Sequence, residues 1–421
     1  MLAAKFSIIQ AMQNNTTDNK AAKTDVFTEI PADLKAHSDQ LKDRIIANIK
    51  AQDGHISFAD YMNQALYTPA LGYYSAGLKK FGQQGDFITA PEISPLFSQC
   101  LALQCVQLMQ QTGQKTLLEV GAGSAVMAIE LLLKLEEQRH LPEQYLILEL
   151  SAELRNRQQD AIKARLPHLY PRCHWLNSLP EKPFNGIILA NELLDAMPVH
   201  LLKLAQDKTL ERFVSVDEQD NFTWFDAPPV NPRLLQIAAD IRRSQQPLAH
   251  LNDKPESAYI TEVNLQAIDW IKSIADILHN GAILLIDYGY TAREYYHPQR
   301  SMGTLMCHYR HHRHDDPFYL PGLQDITAHI DFSSIARAAR EAKLTVSGFT
   351  TQAHFLLAGG LAELTKDLDP QDIITFSETA RQIKMLTLPE EMGELFKVIL
   401  LATDKRLSLP AFNFKNFVDR L

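Results

Sequence analysis

The feature that most limits what this chain can fold into is the alternation, in its central third, of short apolar runs with stretches of helical spacing. The runs TLLEVG (116–121), YLILEL (145–150) and GAILLIDYG (281–289) are almost continuously apolar. Strands that are apolar on both faces and separated by helices are typical of a parallel sheet covered on both sides. The sequence therefore predicts a doubly wound α/β fold.

The same reading predicts the other elements of this fold. Two further strands are expected at 173–176 and 186–190, and two late apolar runs, at 344–351 and 396–404, are candidates to complete the sheet. Between the fourth and fifth strands, apolar residues flank the turn DEQDN and predict an inserted β-meander. Helical spacing predicts helices at 95–111, 125–138, 152–165, 263–279 and 332–342.

Composition excludes several classes of function. The 421 residues carry a net charge of −9, which disfavours a nucleic-acid partner because a phosphate-binding surface needs a basic patch. The four cysteines show no CxxC spacing, which favours a reducing compartment. No apolar run approaches the roughly 20 residues of a membrane span. We expect a cytoplasmic protein, and a mitochondrial one only if the N-terminal arm acts as a presequence.

A glycine turn joins the first core strand to the following helix. Gly121 and Gly123 follow TLLEV directly, and such a turn lets a backbone approach a ligand closely. The third glycine of the dinucleotide fingerprint is absent, since Val126 occupies its position, and no GKS/T follows. The candidate that remains is the ExGxGxG turn of class I methyltransferases, beginning at Glu119, although Ala125 replaces its third glycine. A purely structural turn stays open as the alternative.

Carboxylates follow two other core strands. Glu149 ends the second strand, where a carboxylate can accept hydrogen bonds from both ribose hydroxyls, and Asn177–Ser178 at the end of the third could contact an adenine edge. Asn191, Glu192 and Asp195 follow the fourth strand. On one helical turn Glu192 and Asp195 would face the same way and could orient a guanidinium. The alternatives are that Glu149 and Glu192 are exposed and that Asp195 caps a helix.

Longer motifs identify a family. FGQQGDFITAPEISPLF, LLEVGAGS, ANELLDAMPV, GAILLIDYGY, DITAHIDFSSIARAA and MGELFKVILLAT occur in this order and resemble the MidA-type methyltransferases, which include the mitochondrial complex I assembly-factor methyltransferase. The resemblance extends from about residue 40 to about residue 405. It implies a class I methyltransferase core, the cofactor S-adenosyl-L-methionine (SAM), and a protein arginine as methyl acceptor.

The resemblance also implies roles for individual residues. The glycine turn with Glu119, Gly121, Ala122 and Gly123 would hold the methionine end of the cofactor and Glu149 the ribose, while Asn177 and Ser178 stay candidates for the adenine from their place after the third strand. Asn191, Glu192 and Asp195 would face the acceptor. A lid over the site would contain Gly85, Asp86, Thr89 and Glu92. Ala125 and Asn177 depart from the family pattern, which usually has glycine and an acidic residue there.

Together these interpretations divide the chain into four parts. They are an N-terminal arm (1–35), a helical region with the lid loop (36–113), a SAM-binding core (114–290) with an inserted lobe at about 199–262, and a C-terminal part (291–421) that completes the sheet and the acceptor pocket.

The predicted activity is SAM-dependent methylation of a protein arginine to symmetric dimethylarginine, with a respiratory-complex subunit as partner by resemblance. Two alternatives remain: a SAM-binding assembly factor that clamps a partner without turnover, and a small-molecule N- or O-methyltransferase. The oligomeric state is open, a homodimer included. A histidine cluster at 308–316 suggests a metal, but interleaved arginines disfavour a dication, so we expect a surface or substrate-contacting loop and no metal site.

Overall fold

A computed structural model describes residues 30–76, 88–180, 183–205, 208–243, 258–310 and 312–421 of the chain. Its strands are, in chain order, β1 (His55–Ser57), β2 (Thr116–Val120), β3 (Gln144–Leu148), β4 (Cys173–Leu176), β5 (Phe184–Asn191), β6 (His200–Leu204), β7 (Thr209–Val216), β8 (Phe222–Ala227), β9 (Tyr259–Val263), β10 (Leu278–Tyr290), β11 (Met306–Tyr309), β12 (His312–His314), β13 (Asp325–Thr327), β14 (Ile330–Asp331), β15 (Thr345–Thr351) and β16 (Phe396–Ala402).

The α-helices connect these strands and cover the sheets. They are α1 (Ala32–Ala51), α2 (Phe58–Tyr67), α3 (Ala90–Ile93), α4 (Pro95–Thr112), α5 (Val126–Glu137), α6 (Ala152–Arg165), α7 (Pro232–Arg243), α8 (Leu265–Ile277), α9 (Ala292–Tyr295), α10 (Phe332–Glu341), α11 (Gln352–Leu356), α12 (Ala362–Leu364), α13 (Ile373–Thr387) and α14 (Met392–Leu395). Within the described ranges, none of the helices combines the length and apolar character that crossing a bilayer requires.

The main sheet has the strand order β15-β16-β10-β5-β2-β3-β4, with the short β14 paired to β10. Neighbours from β10 to β4 are parallel, and β16 runs antiparallel to both of its neighbours. The chain moves outward from β2 through β3 to β4 and then returns to start β5 on the other side of β2. This confirms the doubly wound fold, and it places the reversal of strand order, where open α/β sheets bind ligands, between β2 and β5.

Both faces of the sheet are buried, as the continuous apolar runs predict. Consecutive residues alternate between two cores: Leu117 packs on one side with helices α4 and α5, and Leu118 on the other with α8 and α10. The pairs Ile187/Ile188 and Leu284/Leu285 alternate in the same way. The predicted strands and helices of the central third are thereby confirmed, with ends that differ by a few residues.

A second, smaller lobe stands over one end of the main sheet. Strands β1, β7, β6 and β9 form an antiparallel sheet, with β8 on β7, and β12, β11 and β13 form another. The meander β6-β7-β8 is the predicted insertion. The core of the lobe also takes residues from α1, α2 and the segment 307–328, for example Leu41, Phe58 and Ile326, so three segments that are distant in sequence build it.

Helix α1 begins earlier than expected. It starts at Ala32, directly after Pro31, so the last four residues of the predicted arm (1–35) are helical. Asp33 in the first turn suits the positive end of the helix dipole. Residues 1–29 lie outside the described residues.

Candidate functional site

A cleft of about 1620 Å³ lies between the carboxyl ends of the central strands and the lobe. It occupies the edge of the sheet at which the strand order reverses. Most of the residues that the sequence singled out line it, namely Thr89, Glu119, Gly121, Ala122, Gly123, Glu149, Asn177, Ser178, Asn191, Glu192 and Asp195. Of the other predicted lid residues, Gly85 and Asp86 lie outside the described residues.

The glycine turn leaves β2 in a left-handed backbone conformation. Gly121 has a φ of +74° and Gly123 a φ of +52°, values that glycine adopts without steric penalty. A Cβ added to Gly121 would lie 3.0 Å from Leu193 Cδ1, so this position is also tight. Ala125, where the family has its third glycine, keeps the left-handed conformation, with a φ of +64°. The alanine therefore occupies a backbone conformation that glycine would adopt without steric penalty.

Glu149 is held by a network that reaches the glycine turn. Its Oε1 accepts from the backbone N–H of Ser151 (2.9 Å) and its Oε2 from Gln158 Nε2 (3.0 Å). The same Gln158 Nε2 donates to the carbonyl of Gly123 (3.1 Å), and Trp175 Nε1 donates to Gln158 Oε1 (2.9 Å). Each carboxylate oxygen has several lone-pair sites, so both retain capacity to accept from a ligand.

Asn177 joins the end of β4 to this network. Arg155 donates from Nη1 to Asn177 Oδ1 and from Nη2 to the carbonyl of Glu149 (2.8 Å). An acidic residue at 177 would pair with Arg155 through its charge, whereas asparagine accepts the same hydrogen bond as a neutral group.

Glu119 is buried at the end of β2. Its Oε2 accepts a hydrogen bond of 2.5 Å from the Tyr145 hydroxyl. Burial raises the pKa of Glu119 to about 7, although the hydrogen bond from Tyr145 acts in the opposite direction. This carboxyl therefore favours a cationic group beside it, because a positive charge offsets the loss of hydration.

Helix α3 is attached to the glycine turn. Glu92 Oε1 accepts from the Ser124 hydroxyl (3.0 Å), and the Glu92 side chain also forms a capping box with Thr89. Thr89 lines the cleft, whereas Glu92 is not among its lining residues and joins α3 to the turn.

The predicted helical turn at Glu192 and Asp195 is wrong. No helix forms between β5 and β6, and Glu192 has a left-handed φ of +50°. The cause is Asp287 on β10, whose Oδ2 accepts from the backbone N–H groups of Leu194 (2.9 Å) and Asp195 (3.3 Å). These bonds hold residues 192–196 as a loop over the sheet edge. Both carboxyl groups still line the cleft, although for a different reason.

Burial dominates the electrostatics of this loop. It raises the pKa of Glu192 to about 8, with Asp195 adding to the shift. The pKa values of Asp195 and Asp287 are also raised, again chiefly by burial. Glu192 Oε1 accepts from Asn191 Nδ2 (3.0 Å) and the backbone N–H of Ala90 (3.3 Å). Three carboxyl groups gathered in this way favour a cationic ligand.

Two oxygen atoms of the loop are buried and lack a partner. Asn191 Oδ1 and Asp195 Oδ1 receive no hydrogen bond from any described residue. An unsatisfied buried polar atom costs about 1–3 kcal/mol, so native structures rarely retain one without a reason. The described residues thus leave two acceptors of this loop without a donor, on side chains that line the cleft.

Sequence reasoning missed several residues of the cleft. Tyr288, at the end of β10, lines the cleft and acts to lower the pKa of Asp195, against the larger effect of burial. Tyr67 and Tyr74 stack at 5.5 Å on the lobe side, and Tyr74 donates to Asp325 Oδ1 (3.0 Å). The sequence IDYGY (286–290) could have indicated Tyr288, because it places polar groups directly after an apolar strand, as ANELLD (190–195) does. Nothing in the sequence placed Tyr67 or Tyr74 opposite these strands.

The described part of the histidine cluster lies on the β-hairpin of β11 and β12. His308 on β11 lines the cleft, and burial lowers its pKa to about 4. His312 and His314 lie on β12, and His311 falls outside the described residues. Among the residues that the structure does describe, no three metal-ligating side chains gather in a group.

Comparisons with known proteins agree on one activity. A family model described as an S-adenosyl-L-methionine-dependent methyltransferase matches residues 100–350. The Danio rerio protein named protein arginine methyltransferase NDUFAF7, mitochondrial, is 27% identical over 381 residues, which cover 84% of this chain and 85% of that protein. The Homo sapiens protein of the same name is 28% identical over 387 residues, covering 84% and 81%.

A solved structure is similar over nearly the whole length. A crystal structure of a protein from Burkholderia thailandensis, bound to S-adenosyl-homocysteine, has a TM-score of 0.86 and 39% sequence identity. The match covers 93% of this chain and all of that one.

Proposed function

Because the chain belongs to the family of S-adenosyl-L-methionine-dependent methyltransferases, we propose that its cleft methylates an arginine side chain of a protein. Family membership agrees with the resemblance seen in the sequence and makes SAM the cofactor. The acceptor, and the role of each residue, belong to the proposal.

The cofactor half of the cleft follows β2, β3 and β4. We assign the ribose hydroxyls to Glu149, whose two oxygens are held in place and retain lone pairs. Glu119 would face the amino group of the methionine part, a cation that suits its buried carboxyl. The left-handed backbone of Gly121 and Gly123 would let the main chain approach the ligand, and Asn177 and Ser178 would border the adenine.

The acceptor half lies over β5 and β10. The observation that carries the proposal is the pair of unpartnered buried acceptors, Asn191 Oδ1 and Asp195 Oδ1, beside the buried carboxyl of Glu192. A guanidinium is planar, permanently charged and carries five N–H donors, so it can satisfy both atoms and the carboxylates together. The relatives named as protein arginine methyltransferases support the same acceptor.

The bound cofactor supplies an electrophilic methyl group on a sulfonium. Glu192 and Asp195 hold the guanidinium so that one terminal nitrogen faces this methyl group, and positioning of this kind supplies much of the rate. As the N–C bond forms and the S–C bond breaks, the nitrogen loses one proton. Glu192 is suited to accept it, because a pKa raised to about 8 lies near the working pH.

The family resemblance extends the proposal in two directions. It makes symmetric dimethylarginine the expected product, and a subunit of a respiratory complex the first acceptor to test. For the location we propose the cytoplasm, as expected from the sequence, or the mitochondrion if the N-terminal arm acts as a presequence.

Replacing Glu192 by glutamine tests the catalytic role. The variant keeps size and one acceptor but removes the charge that orients the cation, so we expect methyl transfer to fall by roughly 100-fold or more. Affinity for S-adenosyl-homocysteine should stay within a few-fold of the wild-type value. Glu130→Gln on α5, which exchanges a carboxylate ion-paired with Arg165 outside the cleft, is the matched control and should leave both quantities unchanged.

The same variant separates an enzyme from a non-catalytic clamp. A clamp predicts no transfer by the wild-type protein and full complementation of a deletion strain by Glu192→Gln. Wild-type rates of transfer in Glu192→Gln would remove this residue from the mechanism.

A further inference from the structure

A group of basic side chains lies at the far end of the acceptor half of the cleft. Arg300 stacks on Tyr290, its guanidinium carbon 3.9 Å from the ring centroid, and Tyr290 stacks in parallel on His329 at 5.3 Å. Lys397 Nζ lies 5.5 Å from the centroid of Tyr290. Arg300, Tyr290 and His329 all line the cleft.

A fourth basic residue reaches this end from the lobe. In the sheet β12-β11-β13, Arg313 pairs with His308, and His308 pairs with Asp325. Directly paired residues share a face of a sheet, and all three of these line the cleft. The cleft surface formed by this sheet therefore changes from acidic at Asp325 on β13 to basic at Arg313 on β12.

This basic end lies one aromatic ring away from the acceptor carboxylates. The ring of Tyr288 contacts His329 edge-on at 5.0 Å, and Tyr288 also acts to lower the pKa of Asp195. Arg300, Arg313 and Lys397 together help to lower the pKa of the buried His329, to about 3. Arg300 and Arg313 also line the same cleft.

Among the described residues, backbone carbonyl groups and two carboxylates face these cations. Lys397 Nζ donates to the carbonyl groups of Glu394 and Leu395, and the carboxylates that act on it are Glu294 and Glu394. Arg300 donates from Nη1 to the carbonyl of Glu294.

Both arginines have donors to spare. Arg313 is exposed and makes no ion pair or hydrogen bond through its side chain with any described residue. A guanidinium has five N–H donors, and a carboxylate is the planar anion whose geometry it matches.

We propose that Arg300 and Arg313 form a carboxylate-binding subsite beside the acceptor pocket. The subsite rests on the proposed function and narrows its acceptor. That acceptor is a basic side chain within a segment that also presents a carboxylate, from an acidic side chain or a chain terminus. The cation enters the pocket of Glu192 and Asp195 while the carboxylate binds across Tyr288. An acceptor without that carboxylate binds more weakly.

The cofactor also has a carboxylate, but the residues assigned to the cofactor follow other strands of the sheet than those that carry the subsite. The glycine turn, Glu149 and Asn177 follow β2, β3 and β4, whereas Tyr288 and Tyr290 end β10, with β5 between the two groups. The subsite is therefore assigned to the acceptor.

The test is a titration of the S-adenosyl-homocysteine-loaded protein with glutarate, followed by NMR of labelled histidine. The His329 ring signals, assigned by their loss in His329→Gln, should shift saturably, because a bound carboxylate adds negative charge beside this imidazole. Arg313→Gln should weaken glutarate binding by about tenfold or more, the scale for one charged hydrogen-bonded pair. Arg340→Gln, which exchanges an exposed arginine of α10 outside the cleft, should not.

Two results would overturn the proposal. One is a response no larger than that to sodium chloride of equal ionic strength, or one unchanged in Arg313→Gln. The other is competition between glutarate and S-adenosyl-homocysteine together with weakened S-adenosyl-homocysteine binding in Arg313→Gln, which would assign the subsite to the cofactor. Neither readout requires methyl transfer, so failure here is distinct from failure of the proposed function.

To identify the source of the carboxylate, arginine peptides with one glutamate at successive flanking positions can be compared with their glutamine counterparts and with peptides ending in a free carboxyl group. A preference for glutamate at a defined spacing, lost in Arg313→Gln, supports a side chain. A preference for the peptides with a free carboxyl terminus, lost in Arg313→Gln, supports a chain terminus. Equal binding of all these peptides contradicts the subsite.

Discussion

Replacing Ala125 by glycine tests whether the turn before α5 is strained. Ala125 directly precedes Val126, the first residue of that helix, has a φ of +64°, and is fully buried. An L-residue in this conformation is destabilised by roughly 1–2 kcal/mol relative to a right-handed one. Glycine does not suffer that penalty.

Two effects oppose the stability that Ala125→Gly gains by removing this strain. Deleting a buried methyl group removes about 0.8 kcal/mol of stabilisation, and glycine loses roughly 0.5–1 kcal/mol more through its larger chain entropy in the unfolded state. We therefore expect Ala125→Gly to change the free energy of unfolding by no more than about 1 kcal/mol.

Ala128→Gly is the matched control. Ala128 is also fully buried but lies inside α5 with ordinary helical geometry, so the variant suffers both losses without the gain, about 2 kcal/mol in total. Urea denaturation of both variants measures the difference, which should be about 1–2 kcal/mol in favour of Ala125→Gly. Equal destabilisation would show that Ala125 does not adopt a strained conformation, and would refute the reasoning.

Two further predictions concern the cleft. Glu149→Gln should lower the affinity for S-adenosyl-homocysteine by at least about tenfold, since hydrogen bonds to a charged acceptor contribute about 1.5–3 kcal/mol each, while the melting temperature of the ligand-free protein should hardly change; a variant that unfolds would make Glu149 structural. The raised pKa of Glu192, about 8, keeps this carboxyl protonated below that pH in the free protein, so kcat/KM for an arginine acceptor should rise between pH 6 and pH 8 and then level off. The rise should disappear in Glu192→Gln, and a flat profile in the wild-type protein would contradict the assignment.

The sheet was predictable because its strands are buried on both faces. Runs such as GIILA admit no solvated face, and the order in which helices separate them leaves few topologies. Ligand-binding candidates at the carboxyl ends of these strands followed from the fold class, which is why Glu149 and Glu192 could be singled out before any geometry was available.

The shape of the loop after β5 could not be predicted from local spacing. Residues three apart suggest one helical turn, but the loop is set by Asp287, which lies 92 positions after Asp195 and accepts its backbone N–H. A tertiary hydrogen bond of this kind overrides local propensity. Glu192 and Asp195 thus line the cleft from a loop and not from the helical turn that their spacing suggests.

The residues that the lobe contributes to the cleft could not be predicted from the sequence either. Tyr74 and Asp325 are 251 positions apart and meet because segments at 41–74, 199–224 and 305–328 share one small core. Neither residue follows an apolar strand of the main sheet, so the rule that identified Glu149 could not identify them.

The central claim, methylation of a protein arginine, is tested most directly by labelled-methyl transfer from SAM into protein of a strain that lacks this chain. The labelled protein is hydrolysed to amino acids and the labelled species identified. The account predicts label in methylated arginine, symmetric dimethylarginine in particular, with the label reduced at least about 100-fold when Glu192→Gln replaces the wild-type protein. Label confined to small molecules or to another amino acid, or no transfer by the wild-type protein, would contradict it.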